Sequence, residues 1–249
     1  MPVTFDKTFF LAVLFSLFFA LQYATASGAK GTPLYQANNL SIYFNQLSSA
    51  QGLSHSSVRT IEQDQQGFIW IGTQDGLNRY DGLSVRQYNY TANDPLSLAN
   101  NWISAIHSDA DGRLWVASKD GINLYQSETD GFTIFDKQNQ PGIKGNDYRT
   151  IAESADGTIW FGSTRKGITR FDKTTGKFSS ILVDKTNEAS LANQINDLMF
   201  DDLGRLWVAT DGAGLSISDD QGKTFQVVST TTEQPIPSAR YFWSRLFIN

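Results

Sequence analysis

A chain of 249 residues, 40% apolar and 18% charged, has the length of one large domain or two small ones and lacks the composition of a disordered segment. Its net charge of −5, with no basic run, argues against nucleic acid as a partner, because phosphate binding needs clustered Lys and Arg. The absence of cysteine excludes thiol catalysis, Cys-zinc sites, iron–sulfur clusters and disulfides, and with His55 and His107 the only histidines a metal site would depend on carboxylates.

The chain opens on an apolar run, FFLAVLFSLFFAL from Phe9 to Leu21, interrupted only by Ser16. It is shorter than the ~20 residues that span a bilayer core and has the length of the apolar region of a secretory signal. Ala24-Thr25-Ala26 follows as a small-x-small cleavage site. Residues 1–26 therefore read as a signal peptide, removed on export to the periplasm, and no membrane span remains after cleavage. A large core can replace disulfides in such a compartment. Residues 27–40 read as a linker. Ile42-Tyr43-Phe44-Asn45 reads as the outer strand of an incomplete blade, which with its leading loop occupies 41–57.

From residue 58 one phrase returns four times. It centres on Trp70, Trp115, Trp160 and Trp207, at intervals of 45, 45 and 47 residues. Upstream lie Ile61, Ile106, Ile151 or Leu198, then Asp64, Asp109, Ser154 or Asp201, then Gly67, Gly112, Gly157 or Gly204. A small residue follows two places after each Trp: Gly72, Ala117, Gly162, Ala209. Downstream come Gly76-Leu-Asn-Arg-Tyr80, Gly121-Ile-Asn-Leu-Tyr125, Gly167-Ile-Thr-Arg-Phe171 and Gly214-Leu-Ser-Ile-Ser218, and a closing aromatic at Tyr88, Phe135, Phe178 or Phe225.

Each unit parses as four short strands. In the first, 58–64 alternates apolar and polar, Gly67 supplies a turn, and 68–72 is a near-continuous apolar run suited to burial on both faces. Segments 76–80 and 85–88 complete the sheet. The small residue after each Trp predicts close approach of neighbouring backbone. Four-stranded units of this period are propeller blades, which bury their faces against one another. The fold class is all-β, a partial β-propeller of about four four-stranded blades in an open arc. The blades occupy 58–100, 101–146, 147–193 and 194–232, and an irregular tail fills 233–249. The four periodic Trp read as inter-blade packing and not as aromatic sugar platforms.

No Trp-Asp dipeptide marks a WD40 repeat and no Gly-Gly marks kelch. The pattern I-x-x-I-x-x-D-x-x-G-x-[IL]-W-[IVF]-[GA]-[TS], followed by G-[LI]-x-x-[YF], resembles the two-component regulator propeller repeat. So do the connecting phrases Gln51-Gly-Leu-Ser54, Ser97-Leu-Ala-Asn100 and Ser190-Leu-Ala-Asn193. The resemblance covers 41 to about 228. It implies the periplasmic sensor region of a hybrid histidine kinase or diguanylate cyclase receptor, with a carbohydrate or other small nutrient-derived ligand. It leaves the ligand and the output module undefined. Four blades, fewer than the family's usual number, and no output motif lead to the expectation of a non-catalytic fragment. Trp243 falls out of register, which adds to that expectation, and exposed blade edges predict self-association. A stand-alone secreted interaction scaffold and a sialidase- or lyase-type enzyme are the alternatives.

No catalytic, cofactor-binding or metal-binding residue is assigned. Ser218-Asp-Asp220-Gln-Gly222-Lys-Thr224-Phe225 fits the Asp-box, a structural hairpin turn. A sialidase would also need clustered arginines and a Tyr–Glu pair, whereas Arg79, Arg113, Arg170 and Arg205 sit at repeat-associated positions. Asp109, Asp111, Asp201 and Asp202 read as turn residues, because the EF-hand spacing is absent. His55 falls in the leading connection. His107 alternates with Ile106, which predicts an outward-facing side chain. The amide-rich loops at 89–101, 137–148 and 184–194 are where non-repeating chemistry concentrates, without a ligand-binding residue singled out among them.

Overall fold

The computed structural model describes residues 46–228. The expected signal peptide, the linker, the strand at 42–45 and the tail lie outside the described residues.

The described residues form four antiparallel sheets, each a meander of consecutive strands. Blade 1 contains β1 (Val58–Gln63), β2 (Ile69–Thr73), β3 (Gly76–Tyr80) and β4 (Val85–Tyr88). Blade 2 contains β5 (Ile103–Ser108), β6 (Leu114–Ser118), β7 (Gly121–Gln126) and β8 (Gly131–Phe135). Blade 3 contains β9 (Tyr148–Glu153), β10 (Ile159–Ser163), β11 (Ile168–Asp172) and β12 (Lys177–Ile181). Blade 4 contains β13 (Ile195–Phe200), β14 (Leu206–Thr210), β15 (Gly214–Ser218) and β16 (Gln226–Val227). The expected all-β class is what the chain adopts. Its helical content among the described residues is two single 3₁₀ turns, Ser49–Gln51 and Leu191–Asn193.

Local chemistry sets the strand boundaries. The first hairpin of each blade closes where the Gly67, Gly112, Gly157 or Gly204 N–H donates to the carbonyl three residues back, with φ between +75° and +91°, a region costly for residues with a Cβ. Each inner strand also carries a bulge at its start, leaving Arg59, Ser104, Arg149 and Asn196 without a cross-strand partner. Bulges of this kind re-aim a side chain.

The apolar core sits between blades. Trp70, Leu77 and Tyr88 of blade 1 cluster with Ile103, Ile106, Val116 and Phe132 of blade 2, and equivalent clusters join blades 2 and 3 and blades 3 and 4. The first three Trp each reach a ring of the following blade: Trp70 to Tyr125 at 4.8 Å, Trp115 to Phe171 at 5.0 Å, Trp160 to Phe200 at 5.6 Å. All four periodic Trp are buried, Trp207 included. The small residue after Trp meets a side chain of the next blade as well as its own sheet. A Cβ on Gly72 would lie 2.6 Å from Ile103 Cγ2 and from Thr60 Cγ2, and one on Gly162 2.5 Å from Ile195 Cγ2. The close approach predicted there is therefore to side chains and not to backbone.

Among the described residues the leading face of the first blade is uncovered. Ile61 is 60% exposed, whereas its equivalents Ile106, Ile151 and Leu198 are 2%, 5% and 3% exposed.

Candidate functional site

The repeated polar residues are architectural. Asp64, Asp109 and Asp201 accept the turn N–H groups and also the indole N–H of the Trp six residues on, at 2.7, 2.9 and 2.8 Å. In blade 3 Ser154 takes the indole at 3.2 Å, and Asp156 accepts the Ser154 hydroxyl and the Thr158 N–H. An arginine lies over each indole: Arg79 and Arg170 from the third strand, Arg113 and Arg205 from two residues before the Trp. The repeat-associated arginines thus cap the core. The Asp-box also closes a turn, with Asp220 accepting the Lys223 and Thr224 N–H groups and Gly222 at φ +77°.

His107 does not face outward. It is wedged between blades, with Nε2 3.1 Å from Glu153 of blade 3 and Nδ1 4.0 Å from Glu62 of blade 1. The backbone N–H of Ser108 donates to Glu62 and that of Ala110 to Glu153. His107, Ala110 and Glu153, with Asp156 and Lys173, border a depression of about 450 Å³, but their polar groups are already engaged: Lys173 pairs with Asp111 at 2.9 Å.

A second depression, about 250 Å³, lies between the loop after β4 and the β7–β8 turn. Its Asp130, at φ +48°, accepts from the Tyr88 and Tyr125 hydroxyls at 2.6 and 2.7 Å and pairs with Arg86 and Arg79. Burial alone would raise this carboxyl, but the two tyrosine hydroxyls and the two guanidinium groups outweigh it and hold the pKa below the usual Asp range. A carboxyl that binds protons less readily when folded stabilises the fold above its unfolded pKa of about 3.9. That stability is lost as pH falls through the lower folded value. Asp130→Asn should therefore lower the urea midpoint at pH 7 and weaken its fall below pH 4; an unchanged acid dependence would contradict this assignment.

The inter-blade loops and the β2–β3 type turns share one face. Gly76 N donates to Asn101 O, Thr164 N to Asp147 O and Asp211 N to Gln194 O. Many of the loop amides close the loops themselves. Asn101 bonds Asp75 and the Tyr90 N–H; Asn139 bonds Ile134 O; Asn193 bonds three carbonyls of its own loop. Trp102, outside the 45-residue register, stands at this face half-buried. Lys119 Nζ lies 3.6 Å from its ring centroid and Arg59 Cζ, on the bulge of β1, 5.2 Å away. Neither cation makes a hydrogen bond or ion pair among the described residues, so both can donate to a ligand. Asn100 donates to Asp120 at 2.6 Å beside them. An aromatic ring bordered by uncommitted donors and by amide and carboxylate acceptors suits a polyhydroxylated ligand, which presents C–H faces and hydroxyls together.

Residues 52–75, 97–120, 142–165 and 190–212 match the family described as two component regulator propeller. The chain carries two-component regulator propeller repeats. Each matched regulator propeller segment runs from an inter-blade loop through the second strand to the turn beyond it, so it contains the Trp and its turn residues.

A stretch of 64 residues is 41% identical to Histidine kinase P4 of Formosa agariphila, covering 26% of this chain and 5% of that kinase. The extracellular domain assigned to a hybrid two component system of B. thetaiotaomicron aligns at 26% identity and TM-score 0.62, over 75% of this chain and 26% of the other. Virginiamycin B lyase from Staphylococcus aureus, 15% identical with TM-score 0.53 over 71% of this chain and 57% of the lyase, shares the fold alone. The chain thus spans a small part of its sensor relatives. Among the described residues no helix is long and apolar enough to cross a membrane.

Proposed function

We propose that the chain is a periplasmic, non-catalytic ligand-binding segment of a bacterial signal-transduction receptor, and that a carbohydrate binds at the loop face around Trp102. The observation that carries the reading is the likeness, in sequence and in fold, to an extracellular domain assigned to a hybrid two component system. The apolar run at Phe9–Leu21 with Ala24-Thr25-Ala26 supports export. The sugar ring stacks on the indole after Lys119 swings aside, and Arg59, Lys119 and Asp120 bond its hydroxyls.

Calorimetric titration with a panel of neutral and acidic oligosaccharides tests the proposal. Saturable binding is expected, weakened at least tenfold by Trp102→Ala, a loss of about 1.4 kcal/mol or more, and less by Trp102→Phe. Binding that Trp102→Ala leaves unchanged would remove the site, and turnover of a glycan would remove the non-catalytic reading.

A further inference from the structure

The bulge of an inner strand and the turn after the second strand of the next blade meet on the loop face, and the repeat makes two such meetings comparable. Arg149 is the bulge residue of β9, and Asp211 directly follows β14 of the next blade. Arg149 Nη1 lies 3.9 Å from Asp211 Oδ2 and donates to Asn196 Oδ1. A carboxylate from the following blade thus answers this guanidinium. The same two positions between blades 1 and 2 hold Arg59, the bulge residue of β1, and Lys119, which directly follows β6. Where blade 4 supplies a carboxylate, blade 2 supplies a second cation. Both cations are exposed, and both lie over the Trp102 indole, Lys119 Nζ at 3.6 Å and Arg59 Cζ at 5.2 Å from its centroid. Among the described residues neither forms an ion pair. The carboxylate next in the chain, Asp120, accepts from Asn100 at 2.6 Å. On the corresponding turn of blade 3, by contrast, Lys166 pairs with Glu188 at 2.9 Å.

We infer that the ligand itself supplies to Arg59 and Lys119 the negative charge that Asp211 supplies to Arg149: the sugar stacked on Trp102 carries a carboxylate or sulfate, held between the two cations. This rests on the carbohydrate reading above and narrows it to acidic glycans. Two like charges over one indole repel each other, and an anion between them replaces that repulsion with charge-assisted hydrogen bonds. The planar guanidinium of Arg59 matches a carboxylate in two parallel bonds, and Lys119 adds a mobile point charge on a flexible stem. A neutral sugar gains the stacking on Trp102 but leaves both cations unanswered. Asp120 repels an anion brought close to it, so the charged group lies on the Arg59 side of Lys119 and the sugar hydroxyls face Asp120.

Calorimetric titration with oligosaccharides in matched pairs reads the charge preference directly: uronic-acid oligosaccharides against their carboxyl-reduced forms, and sulfated oligosaccharides against their desulfated forms. At least one acidic member is expected to bind about tenfold or more tighter than its neutral counterpart, and which pair shows the difference tells carboxylate from sulfate. Lys119→Asp places at this position the residue type that blade 4 carries, and it is expected to abolish the preference by pairing with Arg59. Arg59→Gln is expected to reduce the preference. Both residues are exposed, so both variants should keep the wild-type circular dichroism. Neutral members that bind as tightly as acidic ones, and lose binding in Trp102→Ala, would overturn the charge selection while leaving the carbohydrate site in place. An acidic preference that survives Lys119→Asp would overturn it as well. Absence of binding by every member would overturn the inference and the carbohydrate reading together.

Discussion

Trp115→Ala should lower the unfolding free energy by about 3–5 kcal/mol, the range for truncating a large core aromatic. The indole is fully buried and touches Phe161 and Phe171 of blade 3 as well as Phe135 of its own blade. Its loss opens a cavity at the interface of blades 2 and 3 and removes the N–H that Asp109 accepts. Because stacked blades draw stability from nearest neighbours, the damage reaches both blades. Urea denaturation followed by far-ultraviolet dichroism measures it; a loss below about 1 kcal/mol would show that the Trp does not join the blades.

Asp109→Ala is expected to be comparably damaging, at about 3–5 kcal/mol, the cost of breaking a buried charged pair by removing one partner. Asp109 is 1% exposed and accepts from four donors: the N–H groups of Asp111 and Arg113, the Trp115 indole and the Arg113 guanidinium. Each buried donor left unpaired costs about 1–3 kcal/mol. Asp109→Asn retains one acceptor oxygen and should fall between Asp109→Ala and wild type in the same urea series. An alanine variant as stable as wild type would reduce Asp109 to a turn residue without a role in seating the Trp.

Blade architecture was legible because it repeats. Four copies of one phrase located each turn glycine and each buried apolar strand, and the strands at 76–80 and 85–88 fall where the pattern placed them. The bond from Asp to indole was less legible. Asp64, Asp109 and Asp201 satisfy turn chemistry by themselves, and only strand pairing brings the Trp six residues on over the carboxylate. His107 was placed outward because alternation along a strand presumes one solvated side, whereas an inner strand between two blades has protein on both sides. The loop amides looked available for a ligand, but Asn101, Asn139 and Asn193 bond backbone and side chains of their own surroundings. Trp102 did leave a signal, as a Trp outside the 45-residue register. Its place in the proposed site depends on the bulge at Arg59 and the turn carrying Lys119, which chain order places far apart.

We propose a division of labour, in which the periodic Trp hold the blades together and Trp102 meets the ligand. Thermal-shift titration of wild type, Trp102→Ala and Trp115→Ala against one oligosaccharide panel tests it most directly. Wild type is expected to gain melting temperature with a binding glycan, and Trp102→Ala to melt near wild type without that gain. Trp115→Ala should melt far lower. A Trp102→Ala protein that keeps the full ligand-induced shift, or a Trp115→Ala protein as stable as wild type, would contradict it.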